Sequence, residues 1–160
     1  MKKTAIIKLI VSSIFAVVLI FVLWFSIQGS TQSSLASSYG SYRFANADLY
    51  EILNQNEEMI INQKEISKIQ IYWVGGNVNV LNSSTENISF KEEIKTDEVE
   101  EKNLLRYYIS KKVLTIRFCA PTWNIKKNIR ESKDLTIYIP NYKFSSVFIE
   151  TVSANISYDG

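Results

Sequence analysis

Two hydrophobic patterns divide this chain. Residues Leu9 to Ile27, LIVSSIFAVVLIFVLWFSI, are uncharged and almost wholly apolar, whereas beyond Glu65 apolar and polar residues alternate. A helix of about 20 apolar residues covers a hydrocarbon core of about 30 Å, so the first pattern predicts a membrane-spanning helix. The second, with a period of two, is that of strands with one buried face. Ile69, Ile71 and Trp73 alternate with Gln70 and Tyr72, and Val78 and Val80 follow Gly75-Gly76. The glycine pair predicts a strand, a tight reversal and a second strand, because it supplies the positive φ such a turn needs. Further strands are expected at Ile88 to Phe90, Leu105 to Ile109, Leu114 to Phe118, Leu135 to Ile139, Val147 to Thr151 and Ile156 to Tyr158. Pro140, which cannot donate to a ladder, should stop the fourth of these. Little helix is expected, and the fold class is all-β, either a sandwich or a solenoid.

Charge orients the apolar run. Lys2, Lys3 and Lys8 precede it and the first charge after it is Arg43, so the positive-inside bias places residues 1–8 in the cytoplasm and the bulk of the chain outside. Trp24 and Phe25 suit the outer interfacial belt. A cleaved signal peptide also begins with lysines, but its apolar core of about 7–15 residues ends at a small-x-small site. The run here is longer and Phe25-Ser26-Ile27-Gln28-Gly29 lacks that pattern, so an uncleaved signal anchor over 9–27 is expected, with cleavage near Ala36 as the alternative. Residues 28–47 are rich in Ser, Gly and Gln and read as a flexible stalk. Residues 48–65 form a linker in which Leu49, Ile52, Leu53 and Ile60 fit one face of a short helix, while Met59 to Ile61 fit a strand equally well. The β-rich domain then occupies 66–160 and is expected to be incomplete at its C-terminal end.

Removing the anchor changes the charge balance. The chain has 18 basic and 16 acidic residues, but three of the bases precede the run and every acid lies at or beyond Asp48, so the exported part is slightly acidic. That argues against a nucleic-acid surface or a polybasic lipid patch. With no histidine there is no Ser-His-Asp or Cys-His nucleophile system and no His-ligated zinc. The single cysteine, Cys119, cannot form an intramolecular disulfide, and its place after Leu114, Ile116 and Phe118 marks it as a packing residue at a strand end. No catalytic residue, resident metal or cofactor is expected.

Two charged stretches are candidate binding sites. The run Lys91 to Lys102 crowds Glu92, Glu93, Asp97, Glu98, Glu100 and Glu101. Asp97, Glu98, Glu100 and Glu101 are the weak calcium candidates, since carboxylates ligate that ion. The interleaved lysines and the lack of D-x-[DN]-x-[DN]-G spacing favour a solvated hairpin loop instead. Lys126, Lys127, Arg130 and Lys133, with Trp123 nearby, would make a basic platform for an anionic envelope polymer, against the plainer reading of a solvated loop. Paired carboxylates for glycoside hydrolysis would have to flank one bond about 5–10 Å apart, and nothing in the spacing places two acids that way.

The succession Ile66-Ser-Lys-Ile69-Gln-Ile71-Tyr-Trp73-Val-Gly-Gly76-Asn-Val78-Asn-Val80 resembles the opening of the DUF4097 family of adhesin-like bacterial surface proteins. Leu135-Thr-Ile137-Tyr-Ile139-Pro140 is similar to that family's strand ending in proline, and Val147-Phe-Ile149-Glu-Thr151-Val-Ser153-Ala154-Asn-Ile156 to its first T-x-S-G-x-I coil. The resemblance covers about Ile66 to Gly160, and Ala154 departs from it where the family has glycine. It implies a β-solenoid-like ectodomain, the start of a repeat stack, on the outer face of a bacterial membrane. It carries no active-site residues.

The expected function is therefore non-enzymatic: a membrane-anchored surface protein whose β-domain works as an adhesin-like or scaffolding module. The alternative is an accessory or sensor protein in envelope-stress signalling that acts through a membrane partner, and a polysaccharide-active enzyme is a remote third. The expected partners are the lipid bilayer through 9–27, and an envelope polymer or another membrane protein through the ectodomain, with no nucleic acid.

Overall fold

A computed structural model of the protein describes residues 42–96, 99–122, 124–141 and 144–159. The expected cytoplasmic tail and anchor, and most of the stalk, lie outside them. No helix among the described residues is long and apolar enough to cross a membrane.

The described chain is all-β, with ten strands in two five-stranded sheets. They are β1 (Glu51–Ile52), β2 (Glu58–Asn62), β3 (Lys68–Trp73), β4 (Asn77–Ser83), β5 (Asn87–Ile94), β6 (Arg106–Ser110), β7 (Val113–Arg117), β8 (Lys133–Pro140), β9 (Ser146–Thr151) and β10 (Asn155–Asp159). One α-helix, α1 (Lys127–Ser132), precedes β8. Sheet order is β1-β6-β7-β3-β9 in the first sheet and β2-β5-β8-β4-β10 in the second. Each pair of successive strands, with its connection a coil, thus contributes one strand to each sheet. Their order in space is β1–β2, β5–β6, β7–β8, β3–β4, β9–β10.

The direction of winding explains the mixture of pairings. Every coil passes from the first sheet to the second except β5–β6, which passes the other way. Its contacts with β1–β2 and with β7–β8 are consequently antiparallel, whereas β3 pairs with β7 and β9 and β4 with β8 and β10 in parallel. The β9–β10 coil repeats β3–β4 at a constant offset, from Lys68↔Ser146 through Trp73↔Thr151 to Asn77↔Asn155 and Leu81↔Asp159.

The core lies between the sheets. Ile69, Ile71, Trp73, Leu114, Ile116, Val78, Leu135, Ile137, Ile88 and Phe90 are fully buried, each at an alternate position of its strand, as the two-residue period predicts. Trp73 meets Phe118 edge to face at 4.9 Å, and Phe90 meets Tyr107 at 5.5 Å. Each such side chain removed from water contributes roughly 1.5–3 kcal/mol, which holds the two sheets face to face.

Several expectations are corrected. Gly75-Gly76 joins no hairpin: β3 and β4 lie in different sheets, and the glycines form the corner between them. Gly76 has φ 74°, and a Cβ there would lie 2.0 Å from the Lys133 carbonyl oxygen, so the coil below forbids any side chain. Ala154 holds the matching place in the next coil and is absent from the positive-φ residues, so the departure from glycine is accommodated by a different corner. Residues 48–61 form a 3-10 turn at Ala47–Leu49, then β1 and β2, and no α-helix; the polar Asn56 takes φ 66° between the strands. Part of the expected stalk belongs to the domain. Tyr42 is buried, bridges to Thr122, and accepts the Phe118 N–H at 3.1 Å. Phe44 packs on Arg117, whose guanidinium also lies 3.7 Å from the centre of the Tyr72 ring. β6 and β7 form a hairpin, joined by Lys111 and Lys112 with φ of 49° and 64°. Two positive-φ residues are what a type I′ connection demands, here met without glycine.

Candidate interaction surface

The β9–β10 coil differs from the other parallel coils in what covers it. β9 is an edge of the first sheet and β10 an edge of the second, at the same end of the pile. Among the described residues nothing pairs with their outer sides. Val147 and Ile149 match the buried Ile69 and Ile71, and Ile156 and Tyr158 match the buried Val78 and Val80. They point between the sheets, yet Val147 is 43% exposed, Ile156 51% and Tyr158 73%. Phe148 and Val152 add exposed apolar surface beside them. Among the described residues, these side chains of the interior are left uncovered.

Backbone and polar side chains are poised in the same way. Asn155 N–H donates to Gly76 O, so the N–H and C=O of the alternate residues Ile156 and Tyr158 turn away from β4. Val152 N–H donates to Trp73 O, which likewise turns the groups of Val147, Ile149 and Thr151 outward. On the outer face of the second sheet a polar ladder climbs through the coils. Asp134 Oδ1 accepts from both the backbone N–H and Nδ2 of Asn77, at 2.9 and 2.8 Å, and Asn77 Oδ1 accepts from Asn155 Nδ2 at 3.3 Å. Ser157 Oγ donates to Asn79 Oδ1 at 2.7 Å. Lys95 closes the base of the ladder, 2.7 Å from Asp134 Oδ2. These bonds fix the β9–β10 coil in register on β3–β4.

A second polar feature lies inside. Glu92 and Lys133 are fully buried on the inward faces of β5 and β8, with Lys133 Nζ 2.5 Å from Glu92 Oε1. Lys133 also donates to the carbonyls of Asn103 and Phe118, and Glu92 Oε2 accepts the Leu105 N–H at 3.1 Å. Burial pushes the Glu92 carboxyl up and the Lys133 ammonium down, while the pairing opposes both shifts. The Lys133 ammonium sits 4.2 Å from the centre of the Phe118 ring. The pair ties Asn103, Leu105 and Phe118 to the start of β8. Cys119 is buried beside it, its thiol pushed up to about 12 by desolvation, which suits a packing residue and not a nucleophile.

The residues singled out from sequence fall elsewhere. Asp97, Glu98 and Trp123 lie outside the described residues. Glu100 is exposed, 2.5 Å from Lys102, whose ammonium holds its carboxyl below the usual range. Glu101 is 3.9 Å from Arg106. No group of three metal-ligating side chains occurs among the described residues. The acidic run is not one solvated loop, because Lys91 to Ile94 belong to β5 and Glu92 is in the core. Lys126 and Lys127 are exposed at the start of α1, where Lys127 pairs with Glu131 at 3.6 Å, and Arg130 is half-buried. Lys133 drops out of the expected basic platform entirely, since its side chain is the buried partner of Glu92. No protein-family profile and no curated protein matches the chain.

Proposed function

We propose that this protein is a non-enzymatic, membrane-anchored surface module of bacterial cells whose β-domain works by contact, in an adhesin-like or scaffolding role. The apolar side chains exposed on the β9–β10 coil are the observation that carries this reading. Exposed apolar side chains such as Phe148 and Val152, together with the polar ladder on the outer face of the second sheet, offer contact surface among the described residues. On this reading the domain is solenoid-like, the start of a repeat stack with one reversed coil, and not a hairpin-built sandwich. The constant offset between β3–β4 and β9–β10 supports it. The apolar run over 9–27 supports the anchor, with the N-terminus in the cytoplasm, and residues 28–41 serve as the spacer.

The reading is tested on intact cells displaying the full chain. Externally added protease should release the β-domain while leaving the anchor in the membrane fraction. Cells displaying the wild-type chain should be retained on isolated envelope material, and retention should fall when Val147→Lys and Tyr158→Lys place charge on this coil. Protection from external protease, or retention unchanged by those substitutions, would remove the proposal.

A further inference from the structure

The two outer faces of the domain carry opposite charge. On the second sheet the outward positions of β2, β5 and β8 include Glu58, Glu93 and Asp134 against Lys91. On the first sheet the outward positions of β6, β7, β3 and β9 include Lys68, Arg106 and Arg117 against Glu150. A chain that is slightly acidic beyond its apolar run thus keeps one basic face. β6, β7 and β3 are each paired on both edges, so this face occupies the middle of its sheet.

One end of the face is built at a conformational cost. The β6–β7 connection is left-handed at both Lys111 and Lys112, where asparagine and glycine are the usual choice. Both lysines are exposed, so packing does not call for them there. The Lys112 carbonyl accepts the N–H groups of Ser67 and Lys68 at 2.8 and 3.1 Å, which holds Lys112 beside Lys68. None of these three lysines forms an ion pair among the described residues.

Next to the lysines the face is aromatic. Strand register sets Tyr108, Thr115, Gln70 and Phe148 in one row, a two-residue step along β3 from Lys68. Tyr108 stands against Tyr50 at 5.4 Å and Phe148 against Tyr72 at 5.9 Å, so rings flank Thr115 and Gln70 on both sides. Thr115 Oγ1 donates to Gln70 Oε1 at 3.5 Å, and Gln70 Nε2 donates to nothing among the described residues. The row crosses three strand spacings, about 14 Å, which is longer than one sugar ring. Aromatic rings accept the apolar C–H face of a sugar, amide and hydroxyl groups take its hydroxyls, and ammonium groups take carboxylates.

We propose that this face binds an acidic polysaccharide, with sugar rings lying on Tyr108 and Phe148 over Thr115 and Gln70, and carboxylates meeting Lys68 and Lys112. The proposal rests on the β-domain working by contact with envelope material and names the ligand class. An anionic lipid surface would use the lysines alone and leave the aromatic row without a role.

The test uses the full chain in detergent micelles and fluorescently labelled polygalacturonate oligomers in about 0.1 M salt, where charges more than about 10 Å away are screened. Lys68→Gln with Lys112→Gly should weaken binding at least about tenfold. Lys126→Gln with Lys127→Gln removes the same charge from the exposed start of α1 and should change it less than about twofold. Lys112→Gly relieves a left-handed residue, so a loss of binding with a raised urea midpoint is not a loss of fold. Tyr108→Ala and Gln70→Ala remove no charge and should each weaken binding about fivefold, with an unchanged circular dichroism spectrum. Equal losses from the two lysine pairs overturn the proposal, as does binding indifferent to Tyr108→Ala and Gln70→Ala, because either result is simple ion exchange. Tighter binding to phosphatidylglycerol vesicles or to a single-stranded oligonucleotide overturns it too. If polygalacturonate does not bind while displayed cells are still retained on envelope material, the ligand class falls and the contact reading stands.

Discussion

Replacing Lys133 by methionine should cost this domain about 3–5 kcal/mol, because the change strands a buried carboxylate. Glu92 and Lys133 are wholly buried and 2.5 Å apart, so neither charge can turn to water when the other is removed. Glu92 would retain the Leu105 N–H and lose its partner cation. The carbonyls of Asn103 and Phe118 would lose their donor as well, each worth roughly 1 kcal/mol. Against a typical domain stability of about 5–15 kcal/mol, such a loss moves the urea midpoint far down or unfolds the domain outright. Glu92→Met with Lys133→Met should recover most of it, since an apolar pair of similar volume avoids both desolvation costs. Urea titration followed by tryptophan fluorescence is a suitable assay, as Trp73 is buried against Phe118 and its ring centre is 5.4 Å from Lys133 Nζ. A single Lys133→Met variant within about 1 kcal/mol of wild type would refute the reasoning. A double variant no more stable than the weaker single would refute it equally.

Gly76→Ala should destabilise by more than about 3 kcal/mol, from the αL penalty of roughly 1 kcal/mol and the displacement of the Lys133 carbonyl, whereas Ala154→Gly should shift the thermal midpoint little; comparable effects at the two corners would contradict the structural account. Lys112→Gly should raise stability by about 0.5–1 kcal/mol in the same urea titration, because it relieves a left-handed residue in the β6–β7 connection. Alkaline conditions should weaken the fold. Tyr107 is raised to about 12, by burial first and then by its 2.5 Å hydrogen bond to Glu51, and Cys119 to about 12 by burial. A raised folded-state value contributes stability that is present below the unfolded value and lost as pH rises through the folded one. The urea midpoint should therefore decline between about pH 9 and pH 12, and Cys119→Ala should remove the earliest part of that decline.

The alternation of apolar residues placed most of the strands and named the inward positions, since a two-residue period depends only on the chain's own geometry. It also identified Trp73 and Cys119 as packing residues, and both are in the core. Partnership was not legible in it. Val147 and Ile69 have the same period and chemistry, and only the stacking order buries one and exposes the other. Gly75-Gly76 signals a turn in any fold, but whether the turn closes a hairpin or rounds a corner depends on which sheet receives β4. Lys133 and Glu92 sit far apart in the chain and look like members of solvated charged runs until β5 and β8 bring them together. The sequence alone determined local quantities: an apolar run of membrane length, strand faces, turn sites and the slight excess of acid over base beyond that run. The tertiary structure decided layer order, the reversed coil and the buried ion pair, because these follow from which strand edges meet, and edges carry no signature in a side-chain pattern.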